Sequence, residues 1–342
     1  MSSDANYYKE LFEQFKDMRV IVIGDVMIDA YIFGQVDRIS PEAPVPVVSV
    51  TKRSSRLGGA ANVALNLKAM GATPLLCSVI GLDDRGDDFL KLLKDENMPV
   101  DGILRSKDRL TTTKFRVIGN NVQLLRVDEE STNTLTSADE LKLFHLFQNL
   151  VERYHPDAII FQDYDKGVLT PGVIGAITAK ANEMGLPVTV DPKKKNFRQY
   201  KHVDLFKPNL KELREGIEMI IPRGDFDALE IAASRIQEEM SLRMVMVTLS
   251  ENGVYVRSRM SDSSYDTLRL PAHRRNIADV SGAGDTVISL ATLCLAARCD
   301  LVTIARVSNL AGGLVCEEVG VVPVDADKLL QETIKLYTGI TE

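Results

Sequence analysis

Short apolar runs alternate along the chain with stretches in which apolar residues recur at helical spacing. The runs cover residues 19–24, 74–81, 157–162, 186–191 and 244–249. Each run is short and almost uniformly apolar, which is typical of strands in a parallel sheet that is covered on both faces. Helices are predicted where apolar residues lie three and four positions apart, over 58–71, 137–154 and 227–240. This alternation predicts an α/β sandwich with a mostly parallel central sheet between two layers of helices.

Two β-rich segments, residues 30–52 and 111–127, depart from this alternation because no helix follows them directly. In the second segment Gly119, Asn120 and Asn121 separate two β-rich arms, which predicts a hairpin turn. We expect both segments to form a small separate β-sheet inserted in a single domain that covers residues 1–342. Such a sheet could close over a site as a lid that excludes water. A dimer-forming β-arm is an alternative that is compatible with a lid.

Composition argues against several kinds of partner. The 342 residues include 41 lysines and arginines against 48 acids, a net charge of −7 that does not favour nucleic acid. The first 18 residues lack the apolar core of a secretion signal, so we expect the protein in the cytoplasm. The apolar run 287–297 is shorter than the ~20 residues that cross a membrane and predicts a buried helix. The four cysteines and four histidines lack metal-binding spacing, and we expect reduced thiols.

Polar side chains follow several of the predicted strands. A single acid in such a place is often only a helix cap. In doubly wound folds, however, ligands gather at the carboxyl ends of the strands, so several such side chains together indicate a site. The candidates after four strand ends are Asp25, Asp29, Asp163, Asp165, Lys166, Asp191, Lys193, Asn209 and Glu212.

The segment DVSGAGDT, residues 279–286, precedes the apolar run of the predicted buried helix. Gly282 and Gly284 allow the backbone to approach a ligand closely, and free N–H groups at a helix start suit a phosphate. Asp285 would lie in the first helical turn, where the helix dipole favours a carboxylate even without a function. A well-capped helix is therefore an open alternative. The segment fits neither the P-loop nor the dinucleotide-binding pattern, since Val287 occupies the third glycine position.

Four segments together resemble the ribokinase or PfkB family of carbohydrate kinases. They occur in the order GGAANVALNLKAMGA (58–72), FKPNLKE (206–212), VTLSENG (247–253) and DVSGAGDT (279–286). The resemblance extends over residues 15–335 and implies a ribokinase-like sandwich that transfers a phosphoryl group from ATP to a sugar hydroxyl. The chain departs from the family at Ser281, where threonine is more common, and at Ala60, where ribokinase has a lysine. The second departure implies different sugar contacts.

Three further segments resemble the heptose-phosphate kinases within this family. They are GDVMIDAYIFGQVDRISPEAPVPVV (24–48), TKFRVIGNNVQLLRVDEE (113–130) and DYDKG (163–167). This resemblance implies phosphorylation of D-glycero-D-manno-heptose 7-phosphate at C1, giving the 1,7-bisphosphate for ADP-heptose synthesis. Many such proteins continue into a nucleotidyltransferase domain. Here we expect the stand-alone form without that domain, and a piece of a longer protein is the alternative. Another sugar kinase of the family, or a catalytically silent sugar-phosphate binding protein, remains a rival hypothesis.

The resemblance also implies roles for individual residues. The catalytic set comprises the base Asp285 and the N–H groups of Gly282, Ala283 and Gly284. The sugar phosphate is expected to contact Asp29, Gly58, Gly59, Asn62, Asp163, Arg116, Arg126 and Lys166, the last three as candidates for the 7-phosphate. The ATP set comprises Lys193, Asn209, Glu212, Thr248, Gly253 and Asn309. Mg²⁺ is expected to reach Asn209 and Glu212 through water. A solvated basic turn at Lys193 and an ordinary helical role for Asn309 are the alternatives. A homodimer through the lid is expected.

Overall fold

A nine-stranded sheet forms the centre of the protein in a computed structural model that describes residues 2–260, 262–273 and 275–339. Across the sheet the strands are β13 (Tyr265–Leu270), β12 (Val254–Arg259), β11 (Met244–Thr248), β10 (Leu205–Phe206), β9 (Val188–Asp191), β8 (Ala158–Gln162), β1 (Arg19–Gly24), β4 (Thr73–Gly81) and β5 (Ile103–Ser106). Neighbouring strands are parallel from β11 to β5, and the edge strands β12 and β13 are antiparallel. The carboxyl ends of the parallel strands therefore meet along one edge.

Helices cover both faces of this sheet. They are α1 (Ser2–Phe15), α2 (Ala60–Ala69), α3 (Asp84–Asp95), α4 (Ser137–Tyr154), α5 (Pro171–Glu183), α6 (Leu210–Ile217), α7 (Phe226–Glu239), α8 (Ala283–Ala296), α9 (Leu301–Val315) and α10 (Ala326–Thr338). Alternate residues of β1 serve two cores: Val20 and Val22 pack towards α2 and α8, whereas Ile21 and Ile23 pack towards α4 and α5. Strands buried on both faces need apolar residues at every position, which explains the continuous apolar runs.

A separate four-stranded sheet forms the lid. Its strands lie in the order β3 (Pro46–Gly59), β2 (Val26–Ile39), β6 (Thr113–Gly119) and β7 (Val122–Glu129). The β2–β3 and β6–β7 pairs are antiparallel, and β2 and β6 are parallel. The predicted hairpin turn has φ of 52° at Asn120 and 64° at Asn121, values that asparagine tolerates better than most residues.

The predicted α/β sandwich with an additional small sheet is confirmed. Each predicted strand and helix ends within two residues of its counterpart in the structure. The lid is larger than predicted, since β2 begins at Val26 and β3 ends at Gly59. Asp29 therefore lies inside a lid strand, between the buried residues Ile28 and Ala30. Within the described ranges, no helix is long and apolar enough to cross a membrane.

Candidate active site

The start of α8 provides a place for an anion. Gly282 precedes the helix with φ of 83°, a left-handed conformation that favours glycine. Among the described residues, no side chain caps this helix. The Ala283 N–H makes a long bond of 3.4 Å to the Val280 carbonyl oxygen, so Gly284 offers the first-turn N–H that suits a ligand best. Asp279 instead shapes the loop, since its carboxylate accepts hydrogen bonds from the backbone N–H groups of Ser281 and Gly320. The sequence DVSGAGDT thus forms an open helix start.

Asp285 lies in the first turn of α8 and receives three side-chain hydrogen bonds. Asn62 of α2 donates to Oδ2 at 2.6 Å. Gln162, the last residue of β8, donates to Oδ1 at 3.1 Å, and the Tyr164 hydroxyl donates to the same oxygen at 2.7 Å. A carboxylate has about four acceptor positions, two on each oxygen. Since the described residues place a single side-chain donor on Oδ2, that oxygen keeps an acceptor position for a substrate hydroxyl.

The environment of Asp285 tunes its acidity. The side chain is only 7% exposed, and this burial raises its pKa to about 6. The hydrogen bonds from Asn62 and Tyr164 lower the pKa, whereas the nearby Asp191 carboxylate raises it. The carboxylate is therefore ionised at neutral pH, but it binds a proton more readily than an exposed aspartate. This suits a general base.

Asp25 and Asp163 hold the loop that carries Tyr164. Asp25 is 1% exposed and accepts hydrogen bonds from the backbone N–H groups of Tyr164, Lys166 and Val168. Burial and the neighbouring Asp163 raise the pKa of Asp25. Asp163 accepts hydrogen bonds from Asn196, Tyr200 and the backbone of Asp165. The sequence predicted that Asp163 contacts the substrate. The structure corrects this prediction, because the Asp163 carboxylate instead holds Asn196, Tyr200 and the backbone of Asp165.

Asp29, Gly58 and Gly59 lie in the lid strands, and Gly59 directly precedes α2, which carries Asn62. Asp29 of β2 forms an ion pair with Arg116 of β6, with 2.5 Å between Oδ1 and Nη1. A Cβ on Gly58 would lie 2.5 Å from Asp29 Oδ2. Gly59, with φ of 62°, would bring a Cβ to 2.4 Å from the Asp25 carbonyl oxygen. Both glycines are therefore required for the close approach of β3 to β2.

The other two expected cations already have acidic partners. Arg126 of β7 is directly opposite Arg116 and forms a two-pronged ion pair with Asp128. Lys166 pairs with Glu130, with 2.7 Å between Nζ and Oε1. Arg126 thus belongs to the same part of the lid as Arg116, whereas Lys166 lies on the loop after β8.

Asn209 and Glu212 form a capping box at the start of α6. The Asn209 side chain accepts the Glu212 N–H, and the Glu212 carboxylate accepts the Asn209 N–H, both at 2.9 Å. The second Glu212 oxygen pairs with Lys193. Although burial opposes its charged form, the carboxylates of Asp191, Glu212 and Asp285 raise the pKa of Lys193. Lys193 therefore lies beside acidic side chains of the site and pairs with Glu212, rather than lying in a solvated turn.

The same box bears on the expected magnesium site. Each Glu212 oxygen holds one donor and retains a second acceptor position, which fits hydrogen bonding to a metal-bound water but leaves little room for direct ligation. In the described ranges, no group of three or more histidines, cysteines or acids is arranged to hold a metal ion. A metal held mainly by phosphate oxygens fits this donor set.

Thr248, Gly253 and Asn309 lie around the ends of β11 to β13. Thr248 ends β11 and bridges to Asn209. A Cβ on Gly253, whose φ is 83°, would lie 2.0 Å from the Leu270 carbonyl oxygen. The Asn309 side chain donates to the Pro271 carbonyl at 3.0 Å. The structure thus gathers Gly253 and Asn309 at the segment after β13, and it gives Asn309 a structural hydrogen bond as well.

The family of this chain is shown by comparison with known proteins. The model described as pfkB family carbohydrate kinase matches residues 17–327. The chain belongs to the pfkB family of carbohydrate kinases. It is a sugar kinase, an enzyme that transfers a phosphoryl group to an alcohol.

Curated relatives of this PfkB kinase include longer proteins. The chain is 36% identical over 324 residues to the bifunctional protein HldE of Geotalea uraniireducens, covering 95% of this chain and 64% of that protein. It is 38% identical over 319 residues to the bifunctional protein HldE of Magnetococcus marinus, covering 92% of this chain and 64% of that protein. The chain thus spans just under two thirds of the length of these relatives.

Solved structures of PfkB kinases share the fold. Phosphofructokinase-2 from Escherichia coli in complex with potassium aligns with a TM-score of 0.74 at 19% identity, covering 94% of this chain and 98% of that one. Arabidopsis thaliana ribokinase complexed with ribose and ATP aligns with a TM-score of 0.68 at 15% identity, covering 92% and 99%. At these identities the alignments demonstrate the common fold.

The sequence did not predict that three further side chains lie at this site: Gln162, Tyr164 and Lys207. Lys207 is 2% exposed and pairs with the buried Asp191 at 3.1 Å. A Cβ on Gly284 would lie 3.7 Å from both charged groups, so this ion pair borders the open helix start. Two of these residues could have been identified from their position in the sequence. Gln162 ends the strand β8 and Lys207 directly follows the strand β10, and the other residues of both strands are apolar.

Proposed function

We propose that this PfkB kinase transfers the γ-phosphoryl group of ATP to the C1 hydroxyl of D-glycero-D-manno-heptose 7-phosphate. The product is the 1,7-bisphosphate, an intermediate for ADP-heptose or a related nucleotide-heptose. The observation that carries the phosphotransfer is the buried Asp285 carboxylate beside an uncapped helix start. The choice of heptose is supported by the similarity to the HldE proteins over 95% and 92% of the chain.

Asp285 is the general base in this proposal. Its Oδ2 accepts the proton of the C1 hydroxyl, because Gln162 and Tyr164 already occupy Oδ1. The attacking oxygen then forms its bond to the γ-phosphorus as the bond to the β-phosphate oxygen breaks. N–H groups of Gly282 and Gly284 stabilise negative charge on the transferred group, and the Ala283 N–H adds to them by leaving its long 3.4 Å bond to the Val280 carbonyl oxygen.

The nucleotide lies along the edge that Lys193, Asn209 and Glu212 share. Lys193 neutralises phosphate charge, and the Glu212 oxygens would accept hydrogen bonds from a water molecule of the metal. Mg²⁺ would be held near Asn209 and Glu212 through water, and it would offset the charge of the ATP phosphates. The adenine lies near Thr248, Gly253 and Asn309. This position lies at the end of the parallel strands, because Gly253 and Asn309 both approach the segment after β13.

The sugar phosphate lies between Asn62 and the lid. Asp29 accepts hydrogen bonds from sugar hydroxyls, and Gly58 and Gly59 keep the strand close to it. Arg116, Arg126 and Lys166 supply positive charge for the 7-phosphate, for which the guanidinium fork is well suited. The proposal includes a homodimer formed through the lid.

A substrate panel tests the proposal. The protein is incubated with MgATP and either the heptose 7-phosphate, fructose 6-phosphate or ribose, and kcat/KM is measured for each. We expect the heptose phosphate to be preferred. Equal or better turnover of fructose 6-phosphate or ribose would reassign the protein to another sugar specificity within the family. Tight binding of sugar phosphate without turnover of any compound would favour a silent binding protein.

A further inference from the structure

The two faces of the lid differ in character. Asp29, Tyr31 and Phe33 of β2 alternate onto one face. The strand register places further cations on that face: Lys52 and Arg56 of β3, Lys114 and Arg116 of β6, and Arg126 of β7. The direct contacts of Arg116 with Asp29 and of Lys52 with Phe33 agree with this register. The face that carries the sugar-binding Asp29 is therefore strongly basic in an otherwise acidic protein.

Tyr31 organises two of these cations. The guanidinium carbon of Arg116 lies 5.3 Å from the centre of the Tyr31 ring, and that of Arg56 lies 5.7 Å from it. Cation–π contacts of this kind orient a guanidinium group without neutralising its charge. Tyr31 therefore holds two positive groups near one another although they repel, which is an arrangement suited to a shared anion.

Arg56 differs from the other arginines near the site. Arg116 pairs with Asp29 and Arg126 pairs with Asp128, whereas in the described ranges no carboxylate forms an ion pair with Arg56. Its Nη1 lies 3.8 Å from the position that a Cβ on Gly320 would occupy. Gly320 donates its N–H to Asp279 of the DVSGAGDT loop. Arg56 thus extends from the lid to the body beside the open helix start.

We propose that Arg56, together with Arg116 across the Tyr31 ring, binds the distal phosphate of the sugar substrate and selects phosphorylated sugars over neutral ones. The inference rests on the proposed function and adds residues to its substrate site. Tyr31 is two residues along β2 from Asp29, a separation of ~7 Å at the rise of a strand. A sugar whose hydroxyls contact Asp29 can therefore present a phosphate on its far carbon to the two arginines. Two guanidinium groups can each donate a pair of hydrogen bonds to one phosphate.

The test is Arg56→Gln in the full chain, with steady-state kinetics for heptose 7-phosphate, for the same heptose without phosphate, and for MgATP. A charge-assisted contact to phosphate corresponds to about a 10- to 100-fold loss of affinity. We expect the KM for the sugar phosphate to rise by about that factor, with kcat changed less than about threefold. The KM for MgATP and the weak turnover of the unphosphorylated heptose should stay close to the wild-type values.

Arg53→Gln is the matched control. Arg53 is an exposed arginine on the same strand, and its register partner Ile32 places it on the opposite face of the lid. It should leave the KM for the sugar phosphate unchanged. Circular dichroism and light scattering on both variants establish that fold and oligomeric state are retained. Arg56→Lys, which keeps the charge but loses the fork, should give an intermediate KM.

Two results would overturn the inference in distinguishable ways. If wild-type protein prefers phosphorylated heptose but Arg56→Gln has an unchanged KM for it, or raises the KM for MgATP instead, the phosphate site is wrong while the proposed function stands. If wild-type protein prefers an unphosphorylated sugar, the proposed function fails, and this inference fails with it.

Discussion

The two oxygens of the Asp285 carboxylate have different hydrogen-bond partners. Its Oδ1 is filled by Gln162 and Tyr164, so its reactivity is directed to Oδ2, where Asn62 is the side-chain donor. Burial raises its pKa to about 6, and the donors stabilise the ionised form against that burial. The three donors come from α2, β8 and the loop after β8, so the properties of the proposed base depend on three separate parts of the fold.

Tyr164→Phe tests whether the Tyr164 hydroxyl lowers the pKa of Asp285. The base acts when it is deprotonated, so kcat/KM of the wild-type kinase should fall as the pH drops through about 6. The Tyr164 hydroxyl stabilises the charged carboxylate, and its loss should move this acid limb upward by about one pH unit. The measurement is kcat/KM against pH. Tyr154→Phe is the control, because it removes a hydroxyl that donates to Asp101 on the exposed surface and should leave the limb in place. An unshifted limb in Tyr164→Phe would contradict the role of Tyr164.

Sequence patterns predicted residues that lie within short motifs more readily than residues that meet only in three dimensions. Asp285 and Asn62 were candidates because each belongs to a glycine-rich motif, and the structure joins them by a 2.6 Å hydrogen bond. Tyr164 lies within the segment DYDKG, but its contact with Asp285 spans 121 positions of sequence. Asp163 was predicted to bind substrate, because a buried acid at a strand end has the same sequence pattern whether it contacts a ligand or anchors a loop.

Elements of secondary structure explain which positions of the site accept a side chain. In α8 the left-handed Gly282 sets the direction of the helix, and Gly284 belongs to its first turn. A Cβ on Gly282 would lie 3.1 Å from Val321 and 3.2 Å from the amide nitrogen of Asn62. A Cβ on Gly284 would make ordinary contacts at 3.7 Å with Asp191 and Lys207. The two glycines therefore serve different purposes.

Alanine substitutions separate these purposes. Gly282→Ala should lower stability by about 1–2 kcal/mol, the cost of a left-handed Cβ, and should lower kcat because Asn62 is displaced from Asp285. Gly284→Ala should retain stability, but its methyl group enters the proposed phosphate site and should lower kcat/KM for MgATP by about tenfold, or ~1.4 kcal/mol. Thermal unfolding and steady-state kinetics measure both effects.

Gly175→Ala is the control for helical glycine substitution. Gly175 lies in α5, and a Cβ there would meet nothing within 4 Å. This variant should gain about 0.5–1 kcal/mol of stability without a change in activity. Wild-type activity in Gly284→Ala would show that the start of α8 does not receive the transferred phosphate.

For the secondary-structure elements, the sequence predicted their positions better than the sheet to which each strand belongs. The runs at 19–24 and 244–249 are apolar at nearly every position because the sheet has helices on both faces, and this pattern sufficed to locate β1 and β11. The pattern could not separate β2 from β1, since the apolar sequence continues past the single residue Asp25 that divides them. Which sheet a strand joins is decided by pairing with distant strands, which local patterning does not record.

The whole molecule combines a sandwich with a lid that exposes several apolar side chains on the face opposite the basic one. Leu125 and Val127 of β7 are 55% and 48% exposed, and they share a face with Val117 opposite the basic one. Exposed apolar patches of this kind mark interaction surfaces. The lid thus carries cations on the face of Asp29 and exposed apolar side chains on the opposite face, which supports the proposed homodimer.

Leu125→Asp tests the dimer. A charge in an apolar interface between two copies is costly to bury. This variant should therefore be monomeric by size-exclusion chromatography with light scattering, whereas wild-type protein should be dimeric. Ile231→Asp is the control: Ile231 is 61% exposed on α7, away from the lid, and its substitution should leave a dimer. A monomeric wild-type protein, or a dimeric Leu125→Asp variant, would exclude this surface as the interface.

The central claim is that Asp285 of this kinase directs phosphorylation to C1 of heptose 7-phosphate. It is tested most directly by phosphorus–proton correlated NMR of the reaction of heptose 7-phosphate with MgATP. We predict a new phosphorus signal coupled to the anomeric proton from wild-type protein. Asp285→Asn should give no such signal, although it still binds MgATP in calorimetry. A new phosphorus signal coupled to a heptose proton other than the anomeric one, or undiminished product from Asp285→Asn, would contradict the claim.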